Sequence, residues 1–92
     1  MTKIVLTEPE IFYKIINVIQ DLAITSKTIE TGDQPLTRET QLFDLGFDSL
    51  DLLSLIMAIE DRCYLDLASS YEELDRLQTI NDVIKLVQKA IA

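Results

Sequence analysis

The stretch DLGFDSLDLLSLIMAIED, residues 44–61, decides the fold of this chain. After Gly46 its apolar residues recur every three or four positions, which is the spacing of one face of an α-helix. One stripe suits a core and consists of Leu52, Leu55, Ile56 and Ile59. A second stripe lies on a different face and consists of Leu50, Leu53 and Met57. We therefore predict a helix from residue 48 or 49 to about residue 63, with more apolar surface than one small core can cover.

The segments before this helix predict another helix and a long connection. TEPE at residues 7–10 is a capping-box start with Pro in the first turn, and apolar residues at helical spacing continue to about residue 25. Residues 26–48 contain both glycines and Pro35, so we predict an irregular connection there. Five apolar side chains are expected to pin it onto the helices: Leu36, Leu42, Phe43, Leu45 and Phe47. This connection could also cover the Leu50, Leu53 and Met57 stripe, which is the alternative to an exposed partner surface.

Two helices are predicted after residue 63. A short third helix over residues 71–77 follows the pair Ser69-Ser70, and a fourth is capped by TIND at residues 79–82. The core stripe of the fourth is Ile80, Val83, Ile84, Val87 and Ile91. Residues 1–92 are thus predicted to form a single all-α domain, a four-helix bundle of three longer helices and a short third one.

The amino-acid composition limits which binding partners and which cellular compartment are expected for the protein. Sixteen acidic and eight basic side chains give a formal net charge of -8, which repels nucleic acid and anionic membranes and favours basic protein surfaces. Cys63 is the only cysteine and no signal segment opens the chain, so we expect a cytoplasmic protein in which Cys63 is a small buried hydrophobe. The longest unbroken apolar run, residues 55–59, is too short to span a bilayer.

Ser49 is the residue whose role most needs explaining. A serine at a helix start can be a cap, a catalytic nucleophile or an attachment point. The chain contains no histidine, which excludes Ser-His-Asp catalysis and histidine metal ligands, and we expect no catalytic or metal-binding residue. From position alone, the simplest interpretation is a residue of the first helical turn with Asp48 as the cap. The same turn exposes backbone N–H groups that can stabilise a phosphate.

The stretch from Leu42 to about Ile59 resembles the Asp-Ser-Leu signature of the acyl carrier protein and peptidyl carrier protein family. The triplet is common by itself, but here it follows an apolar segment, opens an apolar helix that ends in acids, and lies in the middle of an acidic chain of the family's size. The resemblance implies a four-helix bundle without catalysis of its own. It also implies that 4′-phosphopantetheine is attached covalently to Ser49, with Asp48 assisting the transferase, and that the arm's thiol holds acyl or aminoacyl groups.

The resemblance further implies a set of partner enzymes for a protein that is expected to be a monomer. These are a phosphopantetheinyl transferase, an adenylating acyl or aminoacyl ligase, and condensing or tailoring enzymes. We expect them to dock on the second helix, at Leu50, Asp51, Leu53, Met57, Glu60 and Asp61.

Departures from the family pattern indicate a particular branch. The middle of the second helix, residues 52–59, contains no acid, and Ser54 stands where the family usually has one. We interpret the chain as a freestanding carrier of a specialised nonribosomal peptide, polyketide or modified fatty acid pathway. The alternatives are a housekeeping fatty-acid carrier and, less well matched, an unmodified helical interaction module that binds partners through its apolar stripe. An autonomous enzyme would have to rely on carboxylates alone.

Overall fold

The computed structural model describes residues 7–25, 29–32 and 35–91, without the side chains of residues 68–71. It contains three α-helices: α1 (Glu8–Thr25), α2 (Ser49–Cys63) and α3 (Ile80–Ile91). Two 3-10 helices, Phe43–Leu45 and Ala68–Arg76, lie before and after α2. No strand occurs in these ranges, so the all-α prediction is confirmed. Residues 26–28 and 33–34 of the predicted connection, and the side chains of the predicted Ser69-Ser70 start, lie outside the described part.

Helix α1 begins at Glu8 as the sequence predicts, and the predicted capping box is present in part. The Thr7 Oγ1 accepts a hydrogen bond from the Glu10 amide at 3.4 Å and donates one to the Glu10 carboxylate at 3.0 Å. Its buried face consists of Ile11, Ile15, Val18 and Ile19. This face packs against both α2 and α3, so α1 is the element around which the other two helices are arranged.

The segment predicted as a short third α-helix is a 3-10 helix instead. It spans Ala68–Arg76, nine residues, and so begins three residues before and ends one residue before the predicted 71–77. Leu77 follows it and is buried, and the Leu77 amide donates to the Leu74 carbonyl at 3.1 Å. Apolar residues three apart, such as Leu74 and Leu77, line up on one side of a 3-10 helix, which has three residues per turn. The fold shown is therefore all-helical with three α-helices, and a four-helix bundle is not confirmed.

Helix α3, predicted as the fourth helix, begins at a reciprocal cap. The Thr79 Oγ1 accepts from the Asp82 amide at 3.2 Å, and the Asp82 carboxylate accepts from the Thr79 amide at 3.0 Å. The predicted stripe is buried at four of its five positions, whereas Ile91 at the last turn is half-buried. Leu86 is buried in addition.

The long connection is held onto the start of α3 by backbone hydrogen bonds. The Leu42 amide donates to the Gln78 carbonyl at 2.8 Å, the Ile80 amide to Thr40 at 3.0 Å, and the Asn81 amide to Arg38 at 2.8 Å. The Arg38 guanidinium also pairs with Glu8 and lies 5.8 Å from the centre of the Phe12 ring. The connection is therefore fixed to α1 and α3 together.

Four of the five side chains predicted to pin the connection lie inward. Leu42, Leu45 and Phe47 are buried and Leu36 is half-buried, but Phe43 is 54% exposed, so the prediction is wrong for Phe43. Leu42 and Leu45 are three residues apart and share the inner side of the first 3-10 turn, which turns Phe43 outward. Ile29, at the other end of the connection, is buried and was not predicted.

Candidate functional site

Asp48 and Asp51 close the first turn of α2 at the point where Ser49 begins the helix. The Asp51 amide donates to Asp48 Oδ1 at 2.8 Å, and the Asp48 amide donates to Asp51 Oδ2 at 3.1 Å. Asp48 has the extended backbone of an N-cap residue, with φ -105° and ψ -173°. The cap is therefore supplied by the two aspartates and not by Ser49.

Ser49 is exposed, and within the described part of the chain its hydroxyl forms no hydrogen bond. The amides of Ser49 and Leu50 are in the first turn and have no acceptor four residues earlier in the helix. They lie at the positive end of the α2 dipole, which favours a negatively charged group bound there. The Ser49 oxygen is thus accessible to an incoming group, and a negatively charged group esterified to it would have two N–H donors in the same turn.

The backbone before Ser49 is held by contacts with distant parts of the chain. Gly46 ends the first 3-10 helix in the left-handed conformation, with φ 91°, where a glycine has no steric cost. The Phe47 amide donates to the Leu42 carbonyl at 3.3 Å, and the Glu30 amide donates to the Leu45 carbonyl at 2.8 Å. The buried side chains at 42, 45 and 47 anchor this turn in the core, so the position of Ser49 is set by the whole fold.

The face of α2 that continues from Ser49 is apolar and outward. Leu50 is 74% exposed and Met57 is 55% exposed, while Leu53 between them is half-buried. The predicted inward stripe of Leu52, Leu55, Ile56 and Ile59 is buried throughout. The structure therefore brings Leu50, Leu53 and Met57 together on one surface, of which only Leu53 is half-buried.

The predicted docking acids differ in what they contact. Asp61 is exposed, and Asp51 is used in the cap. The Glu60 carboxylate accepts a hydrogen bond from the Leu67 amide at 3.0 Å, which ties the end of α2 to the segment that leads into the second 3-10 helix. Glu60 thus has a structural contact that its sequence position does not indicate.

Two exposed aromatic residues on either side of α2 in the sequence were not predicted as docking residues. Phe43 protrudes from the turn before Ser49, and Tyr64 caps the end of α2 in the left-handed conformation, with φ 55°. Tyr64 follows the last residue of α2, and its left-handed backbone means that the helical phase of Met57 does not extend to it. No spacing in the sequence marks Tyr64 as exposed, and nothing local distinguishes Phe43 from its buried neighbours.

Cys63 is a free, buried thiol at the end of α2. Burial raises the pKa of the Cys63 thiol above its ordinary value, against a smaller lowering by the charge of Lys14. The thiolate, which is the reactive form, is therefore disfavoured. The prediction that Cys63 is a buried hydrophobe is confirmed.

A cavity, a metal site and a membrane-spanning helix are the other features to consider besides the start of α2. A cavity of about 500 Å³ opens within the connection, between residues 30 and 45, and Ser49 is not among its lining residues. In the described ranges no group of three or more Cys, Asp or Glu side chains is arranged to hold a metal ion. No helix there is both long and apolar enough to cross a membrane.

Comparison with known proteins gives one family and several relatives. The model of the family described as a phosphopantetheine attachment site matches residues 22–87. The acyl carrier protein of Coprothermobacter proteolyticus is 29% identical over 80 residues, which cover 86% of this chain and 88% of the relative. The acyl carrier protein of Campylobacter concisus is 29% identical over 72 residues, covering 77% of this chain and 88% of the relative.

A chloroplastic acyl carrier protein of Brassica napus is also similar, with 29% identity over 59 residues. The match covers 64% of this chain and 42% of that relative, so the chain spans less than half of its length. No solved structure matches the chain significantly.

Proposed function

Because this chain belongs to the phosphopantetheine attachment-site family, we propose that it carries acyl groups on an arm esterified to Ser49. The observation that supports Ser49 is its exposed hydroxyl at the start of α2, which no described residue hydrogen-bonds. The two aspartates that cap the helix leave this oxygen accessible to a second protein.

The cofactor of the chain is covalently bound 4′-phosphopantetheine, and the protein is a carrier and not a catalyst. When bound, this group supplies a thiol on which acyl groups are held as thioesters. The residues present fit it, since Ser49 offers a primary hydroxyl and the amides of Ser49 and Leu50 would stabilise the negative charge of a phosphodiester. Asp48 would hold the first turn of α2 rigid while the transferase engages it.

The proposed docking surface for partners is the outward face of α2. Its apolar centre is formed by Leu50, Leu53 and Met57, and Asp51, Asp61 and the nearby Glu60 supply its acidic surroundings. Exposed apolar residues surrounded by charge are typical of surfaces that bind other proteins. Basic partners such as a phosphopantetheinyl transferase, an adenylating ligase and condensing or tailoring enzymes would complement the charge.

We propose a specialised pathway as the setting, with housekeeping fatty-acid synthesis as the alternative. The support is the middle of α2, residues 52–59, which has no charged side chain, so docking there depends more on apolar contact than on ion pairs. The curated relatives named acyl carrier protein support an acyl cargo without separating these pathways. We propose that the second 3-10 helix takes the place of the short third helix in the family's four-helix bundle.

The attachment site is tested with a promiscuous phosphopantetheinyl transferase, coenzyme A and intact-mass spectrometry. The wild-type protein should gain one arm, and Ser49→Ala should gain none. Ser54→Ala is the matched control, because Ser54 is also an exposed serine of α2 but lacks the capped helix start. It should be modified like the wild type.

Each departure from this pattern has a definite meaning. Modification of Ser49→Ala would place the arm on another residue and overturn the assignment of Ser49. A wild-type protein that gains no mass, while a known carrier in the same reaction does, would favour the unmodified interaction module.

A further inference from the structure

A groove of about 200 Å³ lies between the second 3-10 helix and α3, and no residue of α2 lines it. Its apolar lining is Leu77 and Leu86, which are 4% and 8% exposed. Along α3 the groove follows positions 82, 85, 86 and 89, which share one face of a helix. The remaining wall is Glu73 and Arg76, three residues apart on the 3-10 helix.

The groove concentrates positive charge in an acidic protein. Arg76, Lys85 and Lys89 line it and are exposed, although the chain has only eight basic residues. The two ion pairs within the described part of the chain use other cations, Arg38 with Glu8 and Arg62 with Asp21. Arg76 and Lys89 are therefore available to an anion, whereas the charge of Lys85 also acts on Asp82.

The two acids of the groove oppose these cations only in part. The Asp82 carboxylate is engaged at the start of α3, where it accepts hydrogen bonds from the amides of Gln78 at 2.9 Å and Thr79 at 3.0 Å. Glu73 is the one remaining acid in the lining and is half-buried. At physiological salt the screening length is about 8 Å, so charges far from the groove act only weakly on an anion in it.

The size of the groove selects the kind of anion. Pockets that enclose a drug-sized ligand measure roughly 300–1,000 Å³, and this groove is smaller. Its nearly buried leucines suit a short apolar stem, and its cations suit a carboxylate at the end of that stem. We propose that the groove between the second 3-10 helix and α3 is a second docking site, which receives an acidic side chain of a partner protein.

This site is opposite in charge to the α2 face and shares no residue with it. The carrier could then bind an acidic protein at the groove while a basic enzyme engages α2. The proposal does not depend on Ser49 being the attachment residue, because unmodified protein is expected to bind at the groove equally well.

The proposal is tested by titrating the ¹⁵N-labelled protein with a capped six-residue peptide of alternating leucine and glutamate. Amide shifts should saturate and be largest at residues 73–77 and 82–89. Arg76→Gln and Lys89→Gln should each weaken binding about three- to fivefold. Lys14→Gln is the control, because it changes the net charge equally from α1, outside the groove, and should leave the affinity unchanged.

Two further probes separate the alternatives. A matched peptide of leucine and lysine should shift amides of α2 and not those of the groove; equal shifts of the groove by both peptides would overturn the proposal. Sodium acetate should bind more weakly than the acidic peptide, and equal affinities would overturn the choice of a protein side chain. The absence of saturable shifts, or an equal loss of affinity in Lys14→Gln, would also overturn it.

Discussion

Asp48 and Asp51 cap each other across the first turn of α2, each carboxylate accepting the hydrogen of the other residue's backbone amide. Ser49 lies between them in sequence and takes no part in this exchange. The helix start is thus stabilised by its neighbours, and the serine hydroxyl can be modified without loss of the cap.

The first prediction separates the cap from the hydroxyl. Asp48→Ala should lower the free energy of unfolding by about 0.5–2 kcal/mol, because the Asp51 amide loses its acceptor. Ser49→Ala should change it by less than about 0.5 kcal/mol, since no described partner is lost. Urea denaturation of both variants measures the difference, and a larger loss for Ser49→Ala would show that the serine itself supports the helix.

The second prediction separates the outward and inward faces of α2. Leu55→Ala should destabilise the protein by about 2–5 kcal/mol, because a fully buried side chain leaves a cavity. Met57→Gln should change stability by about 0.5 kcal/mol or less, yet slow phosphopantetheine transfer about fivefold or more if Met57 is a docking residue.

Ile24→Gln is the matched control for Met57, since Ile24 is an exposed apolar residue on α1. Thermal melts and single-turnover loading of the three variants test both parts. If the Met57 variant melted at as low a temperature as the Leu55 variant, the outward stripe would be part of the core. If the Ile24 variant slowed phosphopantetheine transfer as much as the Met57 variant, Met57 would not be a docking residue.

The third prediction concerns the acids at the end of α2. Asp61→Asn should slow association with a basic partner at low salt and make the rate less dependent on salt, with little change in stability. Glu39→Gln is the control, with the same change of charge on the connection. Stopped-flow association between low and physiological ionic strength measures both, and equal slowing by the two variants would indicate net charge and not a local contact.

The fourth prediction gives Glu60 a structural role. Glu60→Ala should lower the free energy of unfolding by about 1–3 kcal/mol, because the Leu67 amide loses a charged acceptor. Denaturation midpoints of Glu60→Ala and Asp61→Ala should therefore differ clearly. Equal midpoints would show that the contact with Leu67 adds nothing to stability.

The fifth prediction concerns acid pH and Asp82. Burial acts to raise the pKa of Asp82. Hydrogen bonds with the Thr79 and Gln78 amides and with the Thr79 hydroxyl outweigh it, together with the positive charge of Lys85, and the pKa falls below its ordinary value of 3.8. A lowered pKa in the folded state means that the carboxylate stabilises the fold above about pH 4, and that this contribution is lost as the pH falls further. Asp82→Asn should therefore lose less stability than the wild type between pH 5 and pH 2.5, measured by urea denaturation. An unchanged slope would contradict the assignment.

The bounds of the three α-helices could be predicted closely because nearby residues in the sequence determine where each helix starts. Each helix start has two residues, three positions apart, whose side chains form hydrogen bonds in the first turn: Thr7 and Glu10, Asp48 and Asp51, and Thr79 and Asp82. The apolar periodicity then predicts how far each helix extends. The inward and outward stripes of α2 followed from helical phase alone. The roles of Ser49 and of the docking residues stay predictions, since they concern other molecules.

What could not be predicted depends on contacts between distant residues. The orientation of Phe43 is set by the burial of Leu42 and Leu45, and the contact of Glu60 depends on where the chain turns after α2. The 3-10 geometry of residues 68–76 likewise reflects packing against α2, because the acids and serines there are compatible with an α-helix.

The backbone pairing of residues 38–42 with residues 78–81 has a consequence for the order of events during synthesis. The turn that holds Ser49 is completed by residues 78–81, which are synthesised after the whole of α2. A nascent chain that ends before residue 78 lacks the hydrogen bonds that hold residues 38–42 in place. Amide hydrogen exchange at Leu42, Ile80 and Asn81 should accordingly require the same opening.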